Sequence, residues 1–194
     1  MIDVRIDSRI PHEVLTQVEA TLGSLRPLLN ELGKAMTVEV RAHFVQRDSE
    51  GNRRGWSPRA FWLREGRDNT HLSAVTEDGA TVRIASAPIG HKLKGGTITP
   101  KRGRMLAIPL REEAYLKGKP TSWDNGQLFA VKKRNGRVFL VVKQGDSLRI
   151  MYVLVPKVNQ DKDPRTLPDL DKLADQLGDR AVGFLAKVKR RHGG

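Results

Sequence analysis

The histidines are the first residues to consider for chemistry, because histidine serves as a metal ligand and as a proton carrier near neutral pH. The sequence contains five of them, and no two have the close spacing that places a pair of metal ligands on one helix or in one loop. His71 lies near Glu65 and Asp68 in the sequence, but no activated nucleophile accompanies these residues. We therefore expect no metal site, no cofactor and no catalytic group.

Two pairs of acids and one glycine-rich segment are the remaining candidates for a reactive site. Glu112 with Glu113, and Asp161 with Asp163, could hold a divalent cation for nuclease chemistry, but their polar surroundings are typical of an exposed surface. Residues 90–96 (GHKLKGG) place lysines beside glycines, as phosphate-binding loops do. The segment lacks the Gly-Lys-Ser/Thr ending and leads into a predicted strand, which excludes a nucleotide site. The sequence thus favours a protein that is not an enzyme.

Basic residues give the clearest signal of a binding function. The chain has 35 Lys and Arg against 22 Asp and Glu, a net charge of +13, and its cations cluster in residues 90–119, 132–137 and 187–191. Such clusters indicate a polyanionic neighbour, either a nucleic acid bound through its phosphates without base readout or an acidic protein. The candidate contacts to DNA or to a neighbouring subunit are Lys101, Arg102, Arg104, Lys132, Lys133 and Arg134.

The absence of cysteine limits the chemistry further. A chain without cysteine has no disulfides, no thiolate metal site and no cysteine nucleophile, and it can fold in a reducing cytoplasm. The first ten residues alternate charged and apolar side chains, so no signal peptide is expected. No run of about 18 apolar residues occurs, and no membrane span is predicted.

The elements that must position these residues begin with a long amphipathic helix after Pro11. Its apolar residues recur at spacings of three and four, which is the period of a helix with one buried face. Gly23 and Pro27 interrupt the pattern, so we expect either a kinked helix or two helices in series, with the break between Ser24 and Arg26. The stripe consists of Val14, Val18, Leu22, Leu25, Leu29, Leu32, Met36, Val40 and Phe44.

Short alternating segments in the middle of the chain predict an antiparallel sheet. Turn signals separate them, including Glu77-Asp78-Gly79 and Arg134-Asn135-Gly136, and Asn-Gly between apolar runs is a strong hairpin signal. A second helical stripe runs from Leu170 to about Val188. The predicted strands are 2–6, 71–76, 80–85, a β region over 97–110, 127–132, 138–143 and 148–155.

These elements predict an α+β fold, with an antiparallel β-sheet packed against the long N-terminal helix and the C-terminal helix. The length of 194 residues fits a single domain over 1–194. A polar loop at about 46–59 and a C-terminal extension at about 159–194 would be its appendages.

Residues 91–110, HKLKGGTITPKRGRMLAIPL, combine a histidine and a glycine pair with a strand, a Pro-Lys turn and an apolar strand that ends in Ile-Pro. This pattern resembles the signature of the tail-completion and minor tail protein Z-like family of long-tailed bacteriophages. The glycine pair permits a sharp turn, Pro100 to Gly103 makes a second turn, and Met105 to Ile108 is predicted to be a buried strand. The matching residues are His91, Gly95, Gly96, Ile98, Pro100, Lys101, Leu106, Ala107, Ile108 and Pro109.

The resemblance implies a tail-completion domain in a structural virion protein that lies in the tail or neck and assembles in the host cytoplasm. It implies a homo-oligomeric ring, with a hexamer as the first expectation because tails are sixfold. The ring would contact the tail tube or tail terminator protein and the neck or connector proteins, and genomic DNA would meet its basic loops without base readout. The polar loop and the C-terminal arm are expected to become ordered on assembly. Residues 92–94 and 114–127 depart from the family pattern.

Three aromatic residues, Trp56, Phe61 and Trp62, stand close together in a segment that also carries several arginines. The favoured interpretation is that they belong to the core beside the helix stripe. The other interpretations are a stacking platform for bases and a patch that binds a partner. That platform would suit the alternative function, a free nucleic-acid-binding protein without sequence specificity.

Overall fold

The computed structural model describes residues 2–6, 16, 20, 23–52, 54–124 and 127–192. They form the expected α+β fold, and all strand pairs are antiparallel. The sequence predicted one domain, whereas the chain packs as two compact units. Unit 1 comprises residues 1–50, 60–94 and 162–194, and unit 2 comprises residues 51–59 and 95–161.

Unit 1 is built on one long helix, a short sheet and the C-terminal helix. A single π-helical turn, Trp62–Gly66, and a short 3-10 turn, Arg67–Asn69, precede the second strand. The sheet has the strand order β1-β3-β2. The elements are β1 (Ile2–Ile6), α1 (Arg26–Ser49), β2 (Thr70–Val75), β3 (Ala80–Ile84) and α2 (Ala87–Lys94), followed after unit 2 by a 3-10 turn (Pro164–Thr166) and the C-terminal helix (Leu170–His192).

Helix α1 begins where the sequence predicted a break. Pro27 lies in its first turn, where the missing backbone donor has no helical partner to lose. Residues 23–25 are not helical, and Gly23 has a φ of +67°. This arrangement agrees with two helices in series rather than with one kinked helix. Of the predicted first half, Thr16 and Ala20 are helical, and its other residues lie outside the described ones.

The hydrophobic core of unit 1 forms between α1, its sheet and the C-terminal helix. Leu28, Leu32 and Phe44 of α1 are fully or almost fully buried, and Leu177 and Leu185 of the C-terminal helix belong to the same cluster. The prediction that residues after 159 form an extension was therefore wrong for the helix. Its apolar stripe is long enough to complete a core, and the helix continues to His192.

Unit 2 contains most of the β-structure. One sheet has four strands in the order β5-β8-β7-β6, and a separate ladder pairs β4 with β9. Buried Trp123 donates a hydrogen bond from Nε1 to the Tyr152 hydroxyl at 2.9 Å, and that hydroxyl donates to the Ala114 carbonyl at 2.9 Å. The elements are β4 (Gly96–Ile98), β5 (Leu106–Pro109), α3 (Glu112–Lys117), a 3-10 turn (Pro120–Ser122), β6 (Leu128–Lys132), β7 (Val138–Gln144), β8 (Ser147–Val155) and β9 (Val158–Gln160). We call the C-terminal helix (Leu170–His192) α4.

The structure confirms the predicted hairpins, with small differences at the strand ends. The strands form three sheets rather than one, because each turn signal specifies only a local pairing. Helices α2 and α3 were not predicted: α2 includes part of the glycine-rich segment 90–96, and α3 extends into residues 114–127. Both helices are short, and a stripe of one or two turns is too brief to stand out in a sequence. None of the helices in the described ranges is long and apolar enough to cross a membrane.

Candidate nucleic-acid interface

The register of the four-stranded sheet brings the basic residues of unit 2 to one end. Lys132, the last residue of β6, pairs with Val138 of β7, which pairs in turn with Leu154 of β8. The next residue, Val155, pairs with Leu106, the first residue of β5. The β6–β7 turn, the loop that leads into β5 and the chain that leaves β8 therefore meet the sheet at the same end. These segments carry the cations that we call the basic end: Lys101, Arg102, Arg104, Lys132, Lys133, Arg134, Arg137 and Lys157.

The β6–β7 turn is specified by its own backbone chemistry. Gly136 has a φ of +79°, which only glycine adopts without strain. Its N–H donates to the Lys133 carbonyl at 2.9 Å, and the Asn135 side chain accepts from the Arg137 N–H at 3.1 Å. The turn therefore presents its cations to solvent, as the prediction of a turn at Arg134-Asn135-Gly136 required.

The loop before β5 also exposes its basic residues. Gly103 has a φ of +77°, and the cations on either side of it are exposed. Met105 is 42% exposed, and Leu106 to Ile108 are only half-buried. The prediction of a buried strand here was wrong, because β5 is an edge strand that pairs only with β8 in its sheet.

Unit 2 carries almost all the net charge of the chain. Its residues include 16 Lys and Arg and 5 Asp and Glu, which gives +11 of the total net charge of +13. Unit 1 has 19 Lys and Arg and 17 Asp and Glu, which gives +2. Among the described residues, the cations of the basic end form no ion pair. Lys133 Nζ instead lies 5.2 Å from the centre of the Phe139 ring. Unpaired cations at such density attract a polyanion without base readout.

The six predicted contacts thus stand in two segments that share one end of the sheet. The prediction omitted Arg137 and Lys157, which belong to the same end. Arg137 could have been found from its place in the turn. Lys157 follows the strand that pairs with β5, and only the register of that pairing associates it with the others.

The residues singled out in the segment 91–110 fall in both units. His91 lies in α2 of unit 1, and its buried Nε2 has no hydrogen-bond partner among the described residues. Gly95 and Gly96 open unit 2 with φ values of +71° and +131°, as the predicted sharp turn requires. Ile98 ends β4. The others lie in the loop before β5 or in β5 itself: Pro100, Lys101, Leu106, Ala107, Ile108 and Pro109.

The three clustered aromatics are divided between the two units. Trp62 stacks on buried Phe44 with ring centres 6.1 Å apart, and Phe61 packs edge-on against Trp62 at 5.3 Å, so both contribute to the core of unit 1. Trp56 belongs to unit 2, where its ring lies 5.4 Å from that of Tyr115. The core interpretation is confirmed for Phe61 and Trp62.

The polar loop is shorter than predicted, because its first residues belong to a helix. Helix α1 extends to Ser49, where Arg47 forms ion pairs with Glu50 at 2.7 Å and Asp163 at 2.8 Å. The described residues of 51–59 belong to unit 2. Ser57 donates from its N–H and its Oγ to Glu112 Oε1 at 2.7 and 2.8 Å, and these hydrogen bonds hold the pKa of Glu112 below its usual value.

Three of the four acids considered for metal binding, Glu112, Glu113 and Asp163, have protein partners. Besides Glu112, Glu113 pairs with Arg149 at 3.5 Å, and Asp163 pairs with Arg47. In the described ranges, no group of three or more potential ligands could hold a metal ion. Near His71, Glu65 accepts a hydrogen bond from Ser86 at 2.8 Å.

No protein-family model, curated protein or solved structure matches the chain.

Proposed function

We propose that the chain is a structural, non-enzymatic protein of a long-tailed bacteriophage, which completes the tail at its head-proximal end. In this proposal several copies, six as the first expectation, help to form the head–tail joining ring around the DNA path. The observation that carries the proposal is the basic end of unit 2, where exposed cations without acidic partners occupy one end of a sheet. The resemblance of residues 91–110 to the tail-completion family is the reason for proposing a bacteriophage protein.

The chemistry of the basic end suits a surface along which DNA slides. Its cations are exposed, in loops and at the end of β6, so they can neutralise phosphates wherever the backbone passes. Attraction without base readout holds DNA close to the protein and leaves it free to move along its axis.

A free nucleic-acid-binding protein without sequence specificity is the second candidate, and the same basic end supports it. The two candidates differ in where the protein is found. A ring component is a stoichiometric part of the particle, whereas a free binding protein stays in the infected cell.

Mass spectrometry of gradient-purified particles from the phage that encodes the chain separates the two candidates. We expect the chain in a fixed copy number, and electron microscopy of the neck should show it as a ring around the channel. Particles depleted of the chain should accumulate as separate heads and tails. Infectious particles that lack the chain would refute the structural role and leave the free binding protein.

A further inference from the structure

The four-stranded sheet of unit 2 has a second face, opposite to its core. Paired residues in a ladder project to the same face, so the registers assign alternate residues of β5, β6 and β7 to this side. In β8 a bulge at Met151 shifts the register, and the residues on this side are Leu148, Ile150, Val153 and Val155. Every residue at these positions is apolar except Lys143. We call this the outer sheet face; among its residues are Ile108, Phe129, Val131, Phe139, Leu148 and Val153.

The two faces of the sheet differ in how they are covered. On the inner face, Trp123 and α3 pack on Tyr152 and its neighbours. Among the described residues, those of the outer sheet face belong to neither hydrophobic cluster. Val141 of the middle strand β7 is only 2% exposed and most of the others are half-buried, whereas Phe129 and Leu148 are 40% and 55% exposed. A sheet with one solvated face normally alternates apolar and polar residues. A contiguous apolar surface of this kind is typical of a binding face.

The charges around the outer sheet face indicate the kind of partner. Lys143 stands on the face, Lys133 lies over Phe139, and the basic end adjoins the same strands. A face-to-face contact with a second copy would bring together two units of +11 each. A nucleic acid would neutralise the cations, but it would leave the apolar side chains exposed to water. We propose that the outer sheet face binds a different protein, one whose surface has an apolar centre bordered by carboxylates.

The size of the face indicates how this partner is held. The four strands have 4, 5, 7 and 9 residues. Over a length of about five residues, four strands cover about 19 Å by 17 Å, or about 300 Å². A standard interface buries about 800 Å² on each partner. The apolar face therefore supplies the centre of the contact, and the cations around it must supply much of the remainder. Binding of this kind weakens as salt screens the border charges.

A photo-crosslinking amino acid, p-benzoylphenylalanine, at position 129 of the full chain tests the proposal in the cells that produce the protein. Val182 of α4 is 54% exposed in unit 1 and serves as the matched control position. We expect position 129 to yield one product with another protein, through a peptide rich in Asp and Glu, which position 182 does not yield. A product with a second copy, with lipid only, or with no preference over position 182 would overturn the proposal.

The purified partner then gives a quantitative test. Phe129→Ser and Lys143→Glu should each weaken its binding about tenfold or more, with circular dichroism as the check on folding. Phe129→Ser should leave duplex DNA binding unchanged. Equal affinity for the wild type and both variants would also overturn the proposal. None of these results depends on whether the chain is part of a virion, so the inference and the proposed function can fail separately.

Discussion

Neutralising the β6–β7 turn should reduce both the affinity for DNA and its salt dependence. The basic end spans three strand spacings, about 14 Å, and duplex DNA carries about one charge per 1.7 Å of its axis. About eight phosphates lie along that length, about half of them on the near side, so the eight cations can neutralise between about four and eight. The logarithm of the binding constant should then fall with the logarithm of the salt concentration with a slope of about −4 to −7.

The variant Lys132→Gln, Lys133→Gln, Arg134→Gln removes three of these cations. Its slope should be less steep by up to about 2.7, which corresponds to up to about 500-fold weaker binding at 0.1 M salt. Fluorescence anisotropy with a short labelled duplex, from 50 to 300 mM NaCl, measures both quantities. Two duplexes of unrelated sequence should give the same result, because no base readout is involved.

A variant with the same change in charge elsewhere provides the control. Lys187, Lys189 and Arg190 are exposed near the end of α4 in unit 1. In the variant with all three changed to Gln, the slope of the logarithm of the binding constant against the logarithm of the salt concentration should differ from that of the wild type by no more than about one. If this control lowers the slope as much as the β6–β7 variant does, binding depends on net charge alone, and the assignment of the interface to the basic end is refuted.

Three further predictions concern the folded state. Tyr152→Phe leaves buried Trp123 Nε1 without an acceptor, so the free energy of unfolding should fall by about 1–3 kcal/mol in urea titrations; a change below about 0.5 kcal/mol would contradict the hydrogen bond. Gly66→Ala places a Cβ 2.5 Å from the Phe44 ring and should cost about 1–3 kcal/mol through overpacking, whereas an unchanged urea midpoint would exclude the contact. Burial lowers the pKa of His43 from its ordinary value of 6.5, so the free energy of unfolding should decrease as the pH falls below 6.5. His43→Gln should remove this part of the pH dependence of stability. If the wild type and the variant have the same dependence of stability on pH, the prediction is wrong.

The sequence predicted most of the fold because its signals are local. The stripe of α1 and the turn at Asn135-Gly136 each depend on residues close in the chain, and both are present in the structure. The division into two units was not predictable in this way. It depends on which segments pack together, and residues 51–59 join residues 95–161 through contacts such as Ser57 with Glu112, which are 55 positions apart in sequence.

The candidate site was predictable in part for the same reason. Two of its segments are basic clusters that composition reveals directly. Their common location depends on the pairing of β5 with β8 and of β8 with β7, and no local pattern specifies that order of strands. The apolar outer face was missed because Val131, Phe139 and Val153 occur in strands that were all expected to contribute to a core.

The concentration of charge in unit 2 has a consequence for its stability. A net charge of +11 in less than half of the chain opposes compaction of that unit, whereas unit 1 is nearly neutral. A polyanion that binds only folded unit 2 should stabilise it by mass action and leave unit 1 unchanged. Hydrogen exchange with and without heparin should therefore show slower exchange in β6, β7 and β8 and no change in α1. Equal protection in both units would mean that polyanions bind the chain without regard to the basic end. That result would contradict the proposal that DNA contacts this end.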